Sequence, residues 1–347
     1  MKKRYGLIVT GLGILLCAAI IFSVALGRYP ITVTDLFRAL KARISAFLYS
    51  DELFRALLEK ASVSPQTAAI LFNVRLPRIF LACLVGCSLS AAGASYQGVF
   101  QNPMAAPDIL GASSGAATGA CLAILLQLSG QMVMLFAFVF SIGTIALVMV
   151  ISKAARGSRL LGIILAGIMV SSLANAVTSF IKLVADPNSI LPEITYWLMG
   201  SLAKTKPKDV WFALIPIAVG LIPLMLLRWK INILTLPEGE AKTLGVNVNR
   251  TRLIVIIGAT LITAASVSVS GLIGWVGLVV PHLVRRLVGN NYRHLLPASM
   301  LGGALFLLIV DNVSRNLLIT EIPIGILTSV IGAPFFIWLI TRKKEVA

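Results

Sequence analysis

Ionisable side chains are rare within the apolar segments of this 347-residue sequence, and they are the first candidates for chemistry. Asp311 lies inside one apolar run, and Arg315 follows it by four residues. Residues at this spacing share a helix face, so the carboxylate and the guanidinium can pair. An ionisable residue within a membrane span is a functional candidate by default. A pair that only stabilises the helix explains the same spacing, so both interpretations stay open.

Motifs for nucleotide or zinc-protease chemistry are absent from the sequence. There is no G-x-x-x-x-G-K-[ST] segment to cradle nucleotide phosphates as a P-loop does, and there is no H-E-x-x-H zinc motif. His282 and His294 lie near predicted span edges, where a hydrogen-bonded structural histidine is a better explanation than a ligand or a proton relay. Cys83 and Cys87 have no accompanying histidine or second cysteine pair, which disfavours a metal site. We therefore expect no catalytic residues, no metal and no cofactor in this chain.

The composition is typical of a protein embedded in a membrane. Hydrophobic residues make up 58% of the chain and charged residues 12%, against about 25% charged in a soluble domain. The net charge of +17 could suggest nucleic-acid binding. The Lys and Arg residues instead flank the apolar runs, where such residues anchor and orient membrane spans. We expect an all-α, multi-pass membrane protein that binds no nucleic acid.

Charge-free runs predict ten membrane helices, because a helix needs about 20 apolar residues to cross a bilayer. They form one predicted domain that covers residues 1–347. Its membrane parts are 6–27 for the first helix, 79–181 for helices two to five, 210–227 for helix six and 253–341 for helices seven to ten. The run near 273–288 is short and rich in glycine, so it could be re-entrant.

The distribution of basic residues predicts the orientation of these spans. Ten spans place both termini on the same side of the membrane. With that side cytoplasmic, the cytoplasmic segments hold 17 of the 30 Lys and Arg residues, as the positive-inside rule requires. The long external segment 28–78 is also basic, but long segments cross irrespective of charge. Its basic and apolar residues recur at roughly helical spacing, which predicts amphipathic helices on the membrane surface.

One predicted cytoplasmic loop, 236–252, is too polar to span the membrane and is patterned like short helices. Pro237-Glu238 is typical of a helix start, and Gly245 after Leu244 is typical of a helix end. A second short turn is predicted from Val248. A solvated loop would explain this composition, and so would a docking surface for a cytosolic partner.

Five segments in order resemble the FecCD-type permeases of ATP-binding-cassette importers for iron chelates, haem and cobalamin. The first is "RLPRIFLACLVGCSLSAAGASYQGVFQNPMAAPDILGASSGA", which is similar to the family's R-L-P-R, S-G-x-x-x-Q and N-P-L-x-x-P-x-x-L-G-x-S-x-G-A pattern. The others are "YWLMGSL", "GEAKTLGV", "GWVGLVVPHLVRRLVG", and "DNVSR" with "EIPIGILTSVIGAPFFIWLI". Met104 stands where the family usually has Leu, and Ala106 where it often has an acid.

The resemblance implies a subunit of ten transmembrane helices, similar to the cobalamin permease, in which helices two to five and seven to ten are inverted repeats. It implies a homodimer with the path at the two-fold axis, in the inner membrane of a bacterium or archaeon. Its partners would be two cytosolic ATP-binding subunits, which bind ATP and Mg²⁺, and one extracytoplasmic binding protein. The chain itself would be a transport subunit and no enzyme.

The resemblance also assigns roles to residues by position. The loop that couples to the ATPase would contain Glu238, Glu240, Ala241, Leu244 and Gly245. Carboxylates of the binding protein would meet Arg75, Arg78 and Arg315, although membrane anchoring of Arg75 and Arg78 and pairing of Arg315 with Asp311 explain the same residues. The cytoplasmic gate would be formed by Asn102, Met104, Gly157 and Ser158.

The stretch 102–120 combines a turn with a helix of small residues. Asn102-Pro103 ends the second predicted helix, and Pro107-Asp108 supplies a turn and a cap-like acid. Residues 111–120 are all Gly, Ala, Ser or Thr, which lets helix backbones approach closely. We expect a helix buried in protein next to the gate.

The substrate implied by the family is a metal chelate, and an iron(III)-siderophore is our first expectation. Haem, a corrinoid and molybdate remain open. A secondary carrier driven by an ion gradient is the alternative of another class, but such a carrier usually needs more intramembrane carboxylates than this sequence has.

Overall fold

The protein is all-α within the residues that the structure, a computed structural model, describes: 2–27, 29–45, 51–61, 63–154, 159–236 and 238–341. The helices of this part are α1 (Lys2–Ala25), α2 (Val33–Ser45), α3 (Asp51–Lys60), α4 (Pro65–Ile70), α5 (Leu76–Val99), α6 (Ala112–Leu125), α7 (Gly130–Ala154), α8 (Arg159–Val184), α9 (Ile190–Leu198), α10 (Pro207–Leu234), α11 (Glu238–Thr243), α12 (Val248–Ser270), α13 (Val276–Val288), α14 (Tyr292–Asn316) and α15 (Ile324–Thr341). The predicted multi-pass, all-α class is confirmed.

Seven helices of the described residues are long and apolar enough to cross a membrane. They include α1, α7, α8, α10, α12 and α14, together with the helix that runs through Pro65–Val99. The apolar parts of α6 and α15 are shorter, and α13 has only 13 residues. A 13-residue helix is about 20 Å long, which is less than the hydrocarbon core of a bilayer. The count of ten spans therefore stays a prediction.

Helix lengths agree with the predicted repeat for the first three helices of each half, whereas α15 with 18 residues is shorter than its counterpart α8 with 26. In the first half, long α5 is followed by the 14-residue α6 and by two long helices. In the second half, long α12 is followed by the 13-residue α13 and by long α14. In each half a glycine with positive φ precedes the short helix, at Gly111 (φ 78°) and Gly271 (φ 68°).

The second membrane helix begins earlier than the sequence predicted. Its start was placed at residue 79, but one continuous helical segment runs from Pro65 to Val99. A π-helical turn at Leu71–Arg75 interrupts it, with the Leu76 amide donating to the Leu71 carbonyl. Such bulges absorb an extra residue without ending a helix. The helix therefore continues through Arg75 and Arg78, where the drop in hydropathy had suggested a boundary. The amphipathic helices predicted in 28–78 are α2 and α3, which precede this helix.

Other boundaries shift because polar residues continue the membrane helices. Helix six, predicted at 210–227, is α10 and extends over Pro207–Leu234. The second short turn predicted from Val248 is the first turn of α12, capped by Asn247, whose side chain accepts from the Arg250 amide at 2.9 Å. Helix α9 (Ile190–Leu198) was not predicted, although Ser189, Pro192 and Glu193 at its start are typical of a helix N-terminus.

The core is built around α5, whose residues from Ser88 to Val99 are all buried. Gly86 of α5 faces Gly303 of α14, and Gly93 faces Gly277 of α13, so closely that a Cβ atom at any of these positions would overlap the opposite backbone. Without a hydrophobic driving force between helices in lipid, packing of small residues provides much of the association. Hydroxyl groups add to this packing, as where Tyr96 bonds to Thr260 at 2.8 Å.

The two ends of the bundle carry different segments, and we name them by their short helices. The α9 face holds α2, α3, α9 and the start of α10. The α11 face holds α11, the end of α5, the turn at residues 100–104 and the turn between α13 and α14, whereas residues 107–111 pack against the middle of α5 and α8. The directions of the consecutive helices and the contact of Tyr5 with His294 place the chain start at the α11 face.

The stretch 102–120 forms a buried helix, as its small residues predicted. A 3₁₀ turn at Pro107–Leu110 is followed by α6, and the carboxylate of Asp108 accepts from the Ser113 amide at 3.2 Å. Gly115 faces Thr144 and the Phe140 carbonyl of α7. The predicted close approach of helix backbones is therefore present between α6 and α7.

We expect Gly115→Leu to destabilise the protein, because the added side chain would overlap the α7 backbone. Gly143→Leu is the matched control, since Gly143 is exposed on α7 and a Cβ there meets no heavy atom within 4 Å. Overpacking of a tight core costs about 1–3 kcal/mol or more. Thermal unfolding in detergent measures the difference, and equal melting temperatures for the two variants would contradict the packing argument.

Candidate docking, gate and coupling sites

An ion network near the α9 face surrounds Asp311, whose side chain is fully buried. Arg78 donates from Nε to Asp311 Oδ1 at 2.9 Å and from Nη1 to Glu321 at 2.9 Å. Arg315 Nε lies 3.6 Å from Asp311 Oδ2, which is the predicted pair on one helix face. The predicted pair is thus confirmed, and Arg78 and Glu321 are additional members that spacing along one helix could not reveal.

Two of the arginines also attach the end of α1 to the bundle. Arg315 Nη2 donates to Ser23, to its carbonyl at 2.8 Å and to its hydroxyl at 2.5 Å. Arg75 donates to the backbone carbonyls of Val24 and Tyr29. Guanidinium groups suit this position because their five donors can serve several carbonyls at once.

Arg75, Arg78 and Arg315 are therefore buried and bonded within the chain, with 5%, 6% and 8% of their surface exposed. A docking carboxylate would have to replace an internal partner of these arginines. Glu321, with its side chain 30% exposed, is more accessible than Asp311, whose side chain is fully buried. Docking of a binding protein at these three arginines stays a prediction.

The short helix predicted in the loop 236–252 is α11, which starts at Glu238. Ala241 is 1% exposed and faces the chain's own helices, whereas Glu240 is exposed and Leu244 is 58% exposed. Gly245 ends the motif with φ 71°, a backbone conformation that glycine adopts most easily. A partner would thus meet Glu240, Leu244 and Gly245, while Ala241 anchors α11 from below.

The described gate residues lie in the turn after α5. The Asn102 side chain accepts from the Met104 amide at 2.9 Å and so forms a compact turn. Met104 is 44% exposed at the α11 face. Gly157 and Ser158 lie outside the described residues, so the structure does not place the other half of the predicted gate.

Polar side chains that the sequence analysis did not select connect helix ends at the α11 face. Arg285 of α13 donates to Gln97 of α5 at 2.8 Å. Asn232 of α10 donates to Asn291 at 3.1 Å and accepts from the Tyr292 amide at 2.8 Å. Isolated amide side chains within apolar runs were the available signal for Gln97 and Asn232.

A cavity of about 540 Å³ opens near the α9 face, between α9 and the ends of α6, α7, α10 and α12. Its lining includes the exposed lysines Lys204, Lys206 and Lys208, together with Tyr196, Trp197, Ser201 and Ser270. Glu193 and Asp209 also line it, and Asp209 accepts from the Lys206 amide at 2.8 Å as a helix cap. With three lysines against two carboxylates the lining is net positive, which favours an anionic ligand.

A smaller cavity of about 300 Å³ lies between the loop 106–108 and the break between α12 and α13. It is lined mainly by apolar residues such as Leu89 and Trp275, with Asp108 and Thr263 as polar groups.

The histidines contact aromatic rings. His282 lies 6.1 Å and 6.2 Å from the ring centres of Phe335 and Phe336, and His294 lies 4.1 Å from that of Tyr5. Within the part of the chain that the structure describes, no three His, Cys, Asp or Glu side chains are arranged to hold a metal ion.

Comparison with known proteins identifies the family. The model of the FecCD transport family matches residues 15–342. The chain belongs to the FecCD transport family. It is a multi-pass membrane permease of that family, and the resemblance derived from its motifs is confirmed.

Relatives in the family differ in the substrates after which they are named. The molybdate import system permease protein MolB of Haemophilus influenzae is 39% identical over 341 residues, which cover 98% of this chain and 97% of MolB. The probable iron chelatin transport system permease protein of Helicobacter pylori is 40% identical over 279 residues, covering 80% and 84%. A solved structure described as an inward-facing metal-chelate type ABC transporter matches with a TM-score of 0.83 at 38% identity, covering 96% of this chain and 98% of that one.

We expect Asp311→Asn to destabilise the permease, because it leaves Arg78 and Arg315 buried without their shared carboxylate. Breaking a buried ion pair from one side costs about 3–5 kcal/mol. Asp186→Asn, at an exposed carboxylate in the turn before α9, is the control. Thermal unfolding should show a lower melting temperature for Asp311→Asn alone, and an unchanged value would refute a stabilising role for the network.

Proposed function

We propose that this chain is the membrane subunit of an ATP-driven importer, working as a homodimer, and that its substrate is a metal chelate, with an iron(III)-siderophore as the first candidate. The name of the Helicobacter pylori relative, an iron chelatin permease, supports this substrate class, whereas MolB is named for molybdate. The observation in the structure that carries the proposal is the lysine-rimmed cavity at the α9 face.

The volume and lining of that cavity favour a chelate. Pockets for ligands of a few dozen atoms measure roughly 300–1,000 Å³, and the 540 Å³ cavity falls within that range. The rings of Tyr196 and Trp197 offer apolar contact to the organic part of a chelate. The ammonium groups of Lys204, Lys206 and Lys208 offer charge complementarity to its oxygen ligands.

Molybdate is the second candidate substrate. The molybdate permease MolB is 39% identical to this chain over 341 residues. The same three lysines would attract an oxyanion. The chelate is preferred because an oxyanion would leave most of the cavity volume and both aromatic rings without contact.

The energy would come from partner subunits that bind ATP and Mg²⁺ and that dock at the α11 face of this chain. We take this face, and both chain termini, to be cytoplasmic. The docking surface would be the loop with Glu238, Glu240, Ala241, Leu244 and Gly245, of which Glu240, Leu244 and Gly245 are exposed and Ala241 is buried. Motion of α11 would then open a gate formed by Asn102, Met104, Gly157 and Ser158. Asp311 pairs with Arg78 and Arg315, so this carboxylate is poorly suited to the proton path of a gradient-driven carrier.

The binding protein would deliver substrate at the α9 face, close to the lysine rim. The predicted docking arginines lie near the same face but bond internally. An incoming carboxylate that displaced Glu321 from Arg78 would reconcile the predicted docking with the observed burial.

Uptake into proteoliposomes tests the function and the substrate together. The permease is reconstituted with its ATPase subunit and binding protein, and a ferric hydroxamate, haemin, cobalamin and molybdate are offered separately. We expect ATP-dependent uptake of the ferric chelate and none when the ATPase subunit is omitted. Uptake driven by an ion gradient without the ATPase would overturn the importer, and ATP-dependent uptake of molybdate alone would select the second substrate.

The docking surface is tested by Leu244→Asp, which places a charge in the apolar contact that a partner would make. Burial of a leucine side chain contributes about 1.5–3 kcal/mol, so we expect the affinity for the ATPase subunit to fall by about tenfold or more. Leu126→Asp is the control, because Leu126 is 56% exposed at the α9 face, against 58% for Leu244. Equal co-purification of the ATPase subunit with both variants would show that α11 is no docking site.

A further inference from the structure

Gln101 joins two segments of the α11 face that are far apart in the sequence. It lies two residues after the end of α5 and immediately before Asn102. Its side-chain amide donates to the Leu234 carbonyl at 2.9 Å and to the Leu236 carbonyl at 3.1 Å. One carboxamide nitrogen therefore bridges the turn after α5 and the end of α10.

The two acceptors belong to the junction between α10 and α11. Leu234 is the last residue of α10, and Leu236 precedes the start of α11 by two positions. Carbonyl groups in the last turn of a helix have no partner within that helix and need other donors. Gln101 supplies a donor to both carbonyls on either side of Thr235.

The backbone of Gln101 has an unusual conformation, with φ 51°. Positive φ is uncommon for residues other than glycine. Here it turns the chain sharply from α5 into the Asn102–Met104 turn, while the side chain still reaches α10. Gln127 adopts the same region with φ 53° at the α6–α7 turn, where it is exposed at the opposite face.

The rest of the junction is anchored so that α11 and the end of α10 form one unit. Ala241 of α11 is buried against the chain. Asn232, in the last turn of α10, bonds to both the side chain of Asn291 and the backbone of Tyr292. Gln101, which lies between α5 and the gate turn, bonds to this unit through its side chain.

We propose that Gln101 is a positioning residue that transmits displacement of α11 to the Asn102–Met104 turn. This inference rests on the proposed function, in which ATPase subunits move α11 and this turn is part of the gate. The linkage is local and directional: the junction moves, the two hydrogen bonds carry the carboxamide with it, and the adjoining gate turn follows. A cap that only completes the end of α10 would not need a residue of the gate turn as its donor.

The test measures gate movement without a transported substrate. Permease and ATPase subunit are reconstituted in proteoliposomes, and the thiol introduced by Met104→Cys is labelled with a membrane-impermeant maleimide, with and without ATP and vanadate. The same chain without Met104→Cys gives the background from the native cysteines. ATP hydrolysis is measured on the same samples.

We expect Gln101→Leu to reduce the nucleotide-dependent change in labelling by about tenfold, at the lower end of the roughly 5–150-fold typical of coupling between sites. ATP hydrolysis and retention of the ATPase subunit should stay close to those of the parent. Gln101→Lys, which restores a donor to the two carbonyls, should recover most of the change. Gln127→Leu, the control with matched residue type, backbone and exposure, should behave like the parent.

The outcomes separate this inference from the function on which it rests. A parent complex whose labelling ignores nucleotide, and which shows no ATP-driven uptake, would contradict the proposed function itself. A responsive parent with an equally responsive Gln101→Leu variant would overturn the linkage alone. Loss of the ATPase subunit from Gln101→Leu would also overturn it, because Gln101 would then only support the docking geometry of α11.

Discussion

Direct backbone contact between α5 and its neighbours is the constraint on which the rest of this structure depends. Gly86 packs against Gly303, and Gly93 packs against Gly277. These contacts bring α5, α13 and α14 so close together that any residue larger than glycine would overlap the facing helix. In a bilayer, lipid tails solvate apolar side chains as well as protein does, so close packing has to supply the association. The central position of α5 follows from these contacts, and α5 in turn holds the ion network at one end and the gate turn at the other.

The two ends of α5 use polar groups for different purposes. Near the α9 face, Arg78 is held between carboxylates from α14 and the loop after it. Such a buried network costs desolvation and is stable only when its charges remain paired, which favours a rigid end. At the α11 face, Gln101 makes neutral hydrogen bonds to the carbonyls of Leu234 and Leu236, the second of them between exposed atoms. Bonds of this kind can break and re-form at small cost in free energy, as a moving end requires.

This asymmetry fits a transporter that receives substrate at one face and is driven from the other. The lysine-rimmed cavity lies on the side of the rigid network, where a fixed shape helps recognition. The exposed surface of α11 lies at the same face as the gate turn, and the side chain of Gln101 links that turn to the junction between α10 and α11. Rigid-body motion of a short helix can reach the turn through this contact, without a change in the helical core.

The sequence by itself determined the membrane class, the family and the presence of a short helix in the loop 236–252. Hydropathy, the order of the motifs and the signals at Pro237 and Gly245 depend on local chemistry that is readable residue by residue. It also determined that the helix after Gly111 must be buried in protein, because the small side chains of Gly, Ala, Ser and Thr bury little apolar area when they face lipid. The pair of Asp311 with Arg315 was predictable for the same reason, since one helical turn separates them.

Only the tertiary structure decided what depends on pairs far apart in the chain. Arg78 meets Asp311 across 233 positions, and Gln101 meets Leu234 across 133. Burial of the three arginines and of Ala241 likewise depends on which helices lie over them. The start of the second membrane helix at Pro65 was decided by packing, because a π-helical turn let the helix continue through the arginines whose charges the bundle bonds internally. Local pattern limits what each segment can be, whereas the partners of its polar groups are set by the fold.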